Sequence, residues 1–204
     1  MRRIRSAALL ASLTFLSTFP ALGTVVPGQP APVFQGKDSN GKTQDLAQYR
    51  GKFVVLEWAN QGCPYDQKHY NSGNMERLQK EWTAKGVAWF TVISSAPGTQ
   101  GYVTASEEND YVKKVNASPT AVLLDPDGTV GHLYAAKTTP HMYIIDPKGT
   151  LIYNGAIDDH PTPNPGDIGS SKNYVTSALQ EAMSGKPVSE AATRPYGCSV
   201  KYKE

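Results

Sequence analysis

The chain holds two cysteines, Cys63 and Cys198, and the first stands where a thiol can be activated. An apolar, β-rich run over residues 53–58 precedes Cys63 and is typical of a buried parallel strand, and Pro64 follows Cys63 directly. Proline is favoured at the first position of a helix, because its missing N–H would have no partner there. The free N–H groups and dipole of a helix N-terminus stabilise an anion such as a thiolate. The sequence therefore predicts a reactive Cys63 at a strand-to-helix turn.

Cys198 is the one internal thiol that could react further with Cys63. It lies on a tail, residues 186–204, that is long enough to return to the turn at Cys63. In an oxidising compartment the pair could form a catalytic disulfide, with Cys198 as the resolving cysteine. A static structural disulfide is the alternative, since closing a loop of about 135 residues would stabilise the fold by about 5 kcal/mol. A partner protein or a small thiol could also resolve Cys63.

Polar residues around the turn could tune the pKa of Cys63. Asp66 shares the helix face of Cys63 and would raise the pKa of the thiol, whereas Lys68 lies further round the helix and could lower it. The sign of the net shift stays open. Asn60, three residues before Cys63, belongs to the same group of candidates.

A second group of candidates follows from topology. If a strand begins at Pro140 and its hairpin partner returns, residues 155–160 end on the side of Cys63. Each member of this group could tune the thiolate or contact a partner, or could be a solvated loop residue. The group consists of His141, Asp158, Asp159 and His160.

Cys63, His69 and His141 are of metal-ligand type, but no close ligand spacing joins them. The sequence therefore predicts no metal and no other cofactor.

The elements that must position these residues alternate between strands and helices. A helix starts at Pro64, is disturbed at residues 71–73 and ends before Gly86, so the strands on either side of it form a parallel βαβ unit. Further strands are predicted at 87–93, 121–124, 141–145 and 150–153, and further helices at 105–116 and 170–184. This order predicts an α/β fold, with a central mixed β-sheet flanked by helices, an N-terminal extension and a C-terminal tail.

The first residues have the form of a secretory signal peptide, residues 1–23, with three arginines, an apolar segment and a small-residue cleavage site. Its removal takes the formal net charge from +2 to −1, so no basic patch argues for nucleic acid. No other apolar run approaches the length of a membrane span. Residues 24–204 are therefore expected to form a single exported domain, with a bacterial periplasm as the predicted compartment.

Several motifs in this order resemble those of the thioredoxin-like superfamily, within it the redoxins of the alkyl hydroperoxide reductase and thiol-specific antioxidant (AhpC/TSA) type and the periplasmic thiol-disulfide oxidoreductases. The resemblance covers roughly residues 30–184. It is carried by the strand-Cys-Pro-helix of residues 54–70, the Asp-Pro-Asp-Gly turn at 125–128, Thr138-Thr139-Pro140, and the Asp-Pro-Lys-Gly hairpin at 146–149.

The resemblance implies a thioredoxin-like fold and further site residues. It implies that the Thr139–Pro140 peptide bond is cis and lies against Cys63. It also implies that Glu57 is a buried carboxylate that handles protons for the cysteines, which agrees with the raised pKa expected of an acid inside an apolar strand. The alternative is that Glu57 points to solvent at the end of its strand.

The sequence departs from this resemblance at defined positions. Asp66 stands where thioredoxin-type enzymes carry their second cysteine, so an exchange within a CxxC motif is excluded. Peroxiredoxins carry a proline and a hydroxyl residue before their cysteine, where this chain has Leu56 and Asn60, and no arginine lies between Arg77 and Arg194. These differences argue against the usual peroxidase chemistry.

The sequence thus predicts a thiol-based redox protein, a thiol-disulfide oxidoreductase or antioxidant redoxin, with Cys63 as nucleophile and Cys198 as resolving cysteine. Its expected partners are a disulfide or peroxide substrate and a reducing thiol. An atypical thiol peroxidase and a non-enzymatic binding scaffold with a structural Cys63–Cys198 disulfide are the alternatives.

Overall fold

The computed structural model describes residues 25–203, so the predicted signal peptide, residues 1–23, lies outside the described residues. Nine strands form within this part of the chain: β1 (Gln35–Lys37), β2 (Thr43–Asp45), β3 (Val54–Trp58), β4 (Ala88–Ile93), β5 (Ala121–Leu124), β6 (Thr138–Thr139), β7 (His141–Ile145), β8 (Leu151–Gly155) and β9 (Cys198–Ser199). Its α-helices are α1 (Pro64–Asn71), α2 (Asn74–Ala84), α3 (Ala105–Val115), α4 (Thr129–Leu133) and α5 (Tyr174–Met183).

Five strands form a central mixed sheet in the order β5-β4-β3-β7-β8. β3, β4 and β5 run parallel, whereas β7 is antiparallel to β3 and to β8. β3 is in the middle and all five of its residues are buried. The predicted central mixed sheet flanked by helices is therefore confirmed.

The side chains of β3 alternate between two hydrophobic cores on the two faces of the sheet. Leu56 and Trp58 pack on one face, whereas Val55 packs on the other against Met75 and Leu78 of α2. Because both faces of β3 are covered, its C-terminal end is held rigidly. That end leads directly into the loop that carries Cys63.

The first predicted helix is divided in two, as its sequence indicates. Gly73 adopts the left-handed region at φ 71° between α1 and α2, where a side chain would be strained. The last helix begins at Tyr174 rather than at residue 170, because the Asn173 side chain caps it by accepting from the N–H of Thr176. Helix α4 was not predicted. It follows the Asp125 turn, whose carboxylate accepts from the N–H groups at the start of the helix.

The C-terminal tail, of which residues 186–203 are described, packs back across the sheet. Thr193 approaches Gly155 so closely that an added Cβ would lie 2.1 Å from its hydroxyl oxygen. The Tyr202 ring packs directly on Gly131, where an added Cβ would lie 2.5 Å from the ring. The same ring stacks on His132, with 4.0 Å between the centroids. Between these two anchors β9 pairs antiparallel with β6.

No helix in the described part of the chain combines the length and the apolar character that crossing a membrane requires.

Candidate active site

Cys63 stands at the N-cap of α1, directly before Pro64 at the first helical position. The loop before it is tightly fixed. The Asn60 side chain accepts from the N–H of Gly62 at 2.8 Å, and the Asn60 carbonyl accepts from the N–H of Cys63 at 2.9 Å. The Cys63 side chain is completely buried, although it lies at a helix end. The predicted strand-to-helix location of Cys63 is confirmed.

Thr139 connects the two cysteines. The Cys63 thiol donates to the Thr139 carbonyl oxygen at 3.1 Å, and the Thr139–Pro140 peptide bond is cis. Cys198 is the partner of Thr139 in the β6–β9 pairing. Both cysteines are free thiols, and Cys198 is half-buried. The tail therefore brings Cys198 to Cys63, at the residue before Pro140.

The surroundings of the two thiols separate their pKa values. Burial alone raises the pKa of Cys63, but hydrogen bonds from the Cys198 thiol, from Thr139 and from backbone N–H groups outweigh it, so the net pKa lies below the ordinary value. Burial, followed by interactions with Cys63, raises the pKa of Cys198 to about 12. Cys63 is thus the thiol that ionises first, with Cys198 as its hydrogen-bond donor.

Asp66 is a buried carboxylate in the first turn of α1. One of its oxygens accepts from the N–H of Asn60 at 2.6 Å, and the other has no hydrogen-bond partner among residues 25–203. Burial, followed by the nearby Cys63 and Glu57, holds the pKa of Asp66 well above its usual range. Asp66 also raises the pKa of Cys198, so it is near both thiols. A carboxyl group in this position can exchange a proton with them.

Glu57 is fully buried, so the prediction that it points inward is correct and the solvent-facing alternative is wrong. Its carboxylate accepts from Trp89 Nε1 at 2.7 Å, the Tyr70 hydroxyl at 2.7 Å, Gln79 Nε2 at 3.0 Å and the Thr91 hydroxyl at 3.2 Å. Burial raises the pKa of Glu57, and these four hydrogen bonds oppose that effect. Glu57 raises the pKa of Asp66 through its charge.

Lys68 faces away from Cys63 and is part of a separate buried cluster. Its side chain is completely buried, and its ammonium group pairs with Asp158 at 3.0 Å and donates to the His160 carbonyl at 2.7 Å. Asp158 is buried, so its interpretation as a solvated loop residue is wrong, because it is the counterion that a buried lysine requires.

His141 is also buried rather than solvated. Its Nδ1 accepts from the N–H of Lys137 at 3.2 Å, and its Nε2 lies 2.9 Å from the Asn154 side-chain oxygen, which together assign the proton to Nε2. Burial lowers the pKa of His141 to about 4. Asp159 and His160 are partly exposed and pair with each other at 2.7 Å.

Two features of the site are absent from the sequence prediction. The buried Thr139 hydroxyl makes no hydrogen bond of ordinary geometry among the described residues, but it lies close enough to Cys63 and Asp66 to lower the pKa of both. Tyr196, two residues before Cys198, contacts Lys68 and Asp158. Only the position of Tyr196 next to Cys198 could have indicated it. Within residues 25–203, no group of three or more His, Cys, Asp or Glu side chains is arranged to hold a metal ion.

Known proteins share this architecture. The solved structure of a hypothetical protein from Sinorhizobium meliloti 1021 has a TM-score of 0.76 at 20% identity, covering 89% of this chain and 97% of that one. A protein from Chlorobium tepidum, provisionally assigned as the thiol:disulfide interchange protein DsbE, has a TM-score of 0.50 at 25% identity, covering 63% of this chain and 83% of that one. With the sheet order above, these similarities show a thioredoxin-like fold.

The sequence comparisons identify the family. A curated relative, probable glutathione peroxidase 8-B of Xenopus laevis, is 23% identical over 134 residues, which cover 58% of this chain and 62% of that protein. The matched region thus spans less than two thirds of the relative's length. Residues 27–154, more than half of the chain, match the model of the AhpC/TSA family. The chain therefore belongs to the AhpC/TSA family of thioredoxin-like redoxins.

Proposed function

We propose that the protein is a thiol-disulfide oxidoreductase in which Cys63 is the nucleophile and Cys198 the resolving cysteine. The observation that carries this proposal is the position of Thr139, which accepts from the Cys63 thiol and pairs through its backbone with Cys198. A resolving thiol supplied within the chain has the high effective concentration of an intramolecular group. Cys198 would thus do the work of the second cysteine of a CxxC motif, whose position is occupied here by Asp66.

The reaction runs in two exchanges. The Cys63 thiolate attacks one sulfur of a substrate disulfide, the substrate S–S bond breaks, and the other substrate sulfur leaves as a thiolate. Cys198, as thiolate, then attacks the Cys63 sulfur of this mixed disulfide and releases the second substrate thiol. The substrate gains two electrons and the protein is left with a Cys63–Cys198 disulfide. A reducing thiol partner restores both cysteines by the reverse exchanges.

Proton transfer assigns a role to Asp66. Burial raises the pKa of Cys198, and a thiol attacks as its thiolate, so Cys198 must lose its proton to a base. Asp66 is the carboxyl that acts on both thiols, so we assign to it the acceptance of that proton. Burial, with smaller contributions from Cys63 and Glu57, keeps the pKa of Asp66 high. Asn60, Thr139 and Pro140 position the loop and the sulfur.

A peroxide is the second candidate oxidant, because Cys63 has no exposed surface and a small molecule reaches it with the least displacement of the tail. The similarity to a probable glutathione peroxidase supports the same candidate. The Cys63 thiolate would attack one peroxide oxygen, the O–O bond would break, and water or an alcohol would leave, so that Cys63 becomes a sulfenic acid. Cys198 would attack that sulfur and release water, giving the same disulfide.

Mass-spectrometric mapping of the thiols tests the proposal. The reduced protein is treated with a limiting small disulfide or with limiting hydrogen peroxide, and the product is then treated with dithiothreitol under native conditions. We expect a Cys63–Cys198 disulfide that forms with either or both oxidants and is reduced without unfolding. A disulfide that resists dithiothreitol until the protein is unfolded would instead support a binding scaffold with a structural bridge. Sulfenic acid at Cys63 in a Cys198→Ala variant would identify peroxide as the substrate.

We infer that the protein acts outside the cytoplasm as one domain. The signal-peptide pattern of residues 1–23 supports export, with a bacterial periplasm as the compartment. The packing of residues 186–203 onto the sheet supports a single redoxin domain over residues 24–204. N-terminal sequencing of the protein purified from the periplasm tests the export, and a first residue near Thr24 is the expected result.

A further inference from the structure

A buried cluster beneath the tail joins three separate segments of the chain. Lys68 comes from α1, Asp158 from the loop after β8, and Tyr196 from the tail. The Lys68 ammonium lies 3.0 Å from one oxygen of Asp158, 3.4 Å from the other and 3.3 Å from the Tyr196 hydroxyl. The Tyr196 hydroxyl donates to Asp158. Its ring packs edge to face on Tyr65, 5.8 Å away between centroids.

The Lys68–Asp158 pair is not expected to add much to the stability of the folded protein. A buried ion pair often contributes no more to stability than apolar side chains of the same size, because both charges lose their hydration. Its geometry, in contrast, is specific, since Lys68 and Asp158 are both inaccessible to water and can reach few other partners. A hydroxyl that bonds to this pair is therefore held in one place.

One residue, Gly197, separates Tyr196 from Cys198, and it packs closely against the backbone of Thr139. Gly197 has a φ of 138°, and a Cβ added to it would lie 2.1 Å from the Thr139 carbonyl oxygen. That oxygen is the acceptor of the Cys63 thiol. In the described part of the chain, no other side chain of residues 194–197 makes a hydrogen bond. The tail segment that leads to Cys198 is thus fixed by Tyr196.

The geometry points to Tyr196 as a positioning residue that holds Cys198 against Cys63 for the resolving step. The inference rests on the proposed function, in which Cys198 resolves Cys63. The Lys68–Asp158 pair is buried and holds the Tyr196 hydroxyl by hydrogen bonds. These hydrogen bonds fix the position of the tail next to Cys198. Tyr196 does not contact the reacting sulfur atoms and acts through the placement of Cys198 alone.

The resolving step is the one that depends on this placement. Cys198 must reach the Cys63 sulfur of a mixed disulfide along the axis of the breaking S–S bond. Small displacements of a reacting group lower its effective concentration steeply. The first step, attack by Cys63 on an external disulfide, depends on the tail only through the hydrogen bonds that Cys198 donates to Cys63. It is therefore expected to change much less than the resolving step when Tyr196 is altered.

Tyr196→Phe is the test, since it removes the hydroxyl and retains the ring that packs on Tyr65. The reduced protein is mixed with hydroxyethyl disulfide, the reaction is quenched with acid at successive times, and mass spectrometry separates the Cys63 mixed disulfide from the Cys63–Cys198 disulfide. We expect the mixed disulfide to persist about tenfold longer, the effect of one hydrogen bond to a charged group, and its rate of formation to fall by a much smaller factor. The effective concentration of Cys198, from equilibration with glutathione, falls by a similar factor.

Tyr49→Phe is the matched control. It removes a half-buried tyrosine hydroxyl bound to Gln44 at 2.7 Å, far from the tail, and is expected to change neither step. An unchanged lifetime of the mixed disulfide in Tyr196→Phe overturns the inference. Equal slowing of both steps also overturns it, because it would indicate general damage to the site. If the wild-type mixed disulfide never converts to the intramolecular disulfide, the proposed function itself is wrong.

Discussion

Cys198 lies opposite Thr139 in an antiparallel pair of strands, and the carbonyl of that threonine is the hydrogen-bond acceptor of the Cys63 thiol at 3.1 Å. One residue thus fixes the location of both thiols. The relationship makes the acidity of Cys63 depend on a residue that is remote in sequence.

Replacing Cys198 by alanine should raise the pKa of Cys63. The Cys198 thiol is the largest of the contributions that favour the Cys63 thiolate, so its loss leaves the effect of burial less opposed. The ultraviolet absorbance of the thiolate, followed against pH, measures the change. Ser199→Ala, an exposed neighbour on the same strand, is the control and should leave the titration unchanged. A Cys63 pKa equal to or below the wild-type value in Cys198→Ala would contradict the prediction.

Asp66→Asn should prolong the mixed disulfide at Cys63. An amide in this position cannot accept the Cys198 proton, and loss of a general base costs about a hundredfold. The initial attack by Cys63 should not slow, because loss of the Asp66 charge removes a repulsion that opposes the Cys63 thiolate. Quenched-flow mass spectrometry measures both steps. Asp159→Asn, which alters a partly exposed carboxylate outside this group, serves for comparison. Equal lifetimes in both variants would show that Asp66 is not the base.

Glu57→Leu should lower the free energy of unfolding far more than Glu57→Gln. Leucine leaves four buried donors without an acceptor, at a cost of about 4 kcal/mol or more. Glutamine retains one carbonyl oxygen for most of them and should cost about 1 kcal/mol. Urea unfolding followed by circular dichroism measures the losses. Glu81→Gln, at a surface pair, should cost less than about 1 kcal/mol. Similar losses for leucine and glutamine would mean that the hydrogen bonds of Glu57 do not matter to stability.

Acid should destabilise the protein partly through His141. Burial lowers the His141 pKa from 6.5 to about 4, so the unfolded chain binds a proton in this pH range that the folded chain does not. The contribution of His141 to stability is present above pH 6.5 and is lost as the pH falls towards 4, by about 3 kcal/mol. Unfolding by urea at several pH values should show a weaker pH dependence for His141→Gln than for the wild type. His160→Gln, which alters a partly exposed ring, should retain the wild-type dependence, and a His141→Gln profile parallel to the wild type would refute the prediction.

Gly131→Ala should loosen the end of the tail. A Cβ at Gly131 would lie 2.5 Å from the Tyr202 ring, so the tyrosine side chain must move away from α4. Limited proteolysis should then cut the tail faster, and Cys63–Cys198 disulfide formation should slow severalfold because β9 is less firmly held. Gly169→Ala is the matched control, since a Cβ there meets no atom within 4 Å. Identical cleavage rates in the two variants would exclude Tyr202 as an anchor.

The parts of the site that sequence predicted are those determined by neighbouring residues. Pro64 after Cys63 predicted the strand-to-helix turn, because the preference of proline for the first helical position is local. The apolar surroundings of Glu57 within its strand likewise indicated burial. The sheet and most helix bounds followed from hydrophobic periodicity.

Long-range contacts explain the features that sequence left open or missed. The burial of Lys68 depends on Asp158, ninety positions further on, and no local pattern connects a helical lysine with an acid in a polar loop. The short helix α4 was missed because the Asp125-Pro126-Asp127-Gly128 run predicts a turn, and the single helical turn after it is held by the Asp125 carboxylate. The sequence showed that the tail is long enough to bring Cys198 back to Cys63. The pairing of Cys198 with Thr139 could not be predicted, because it depends on how the whole tail packs.

The order of synthesis gives the tail a further consequence. Every strand of the central sheet, and the helix that begins beside Cys63, has been made before residues 196–199 emerge from the ribosome. A nascent chain at that stage contains Cys63 without the Cys198 thiol that hydrogen-bonds to it. The surroundings of Cys63 are therefore complete only after the tail has been made and β9 has paired with β6.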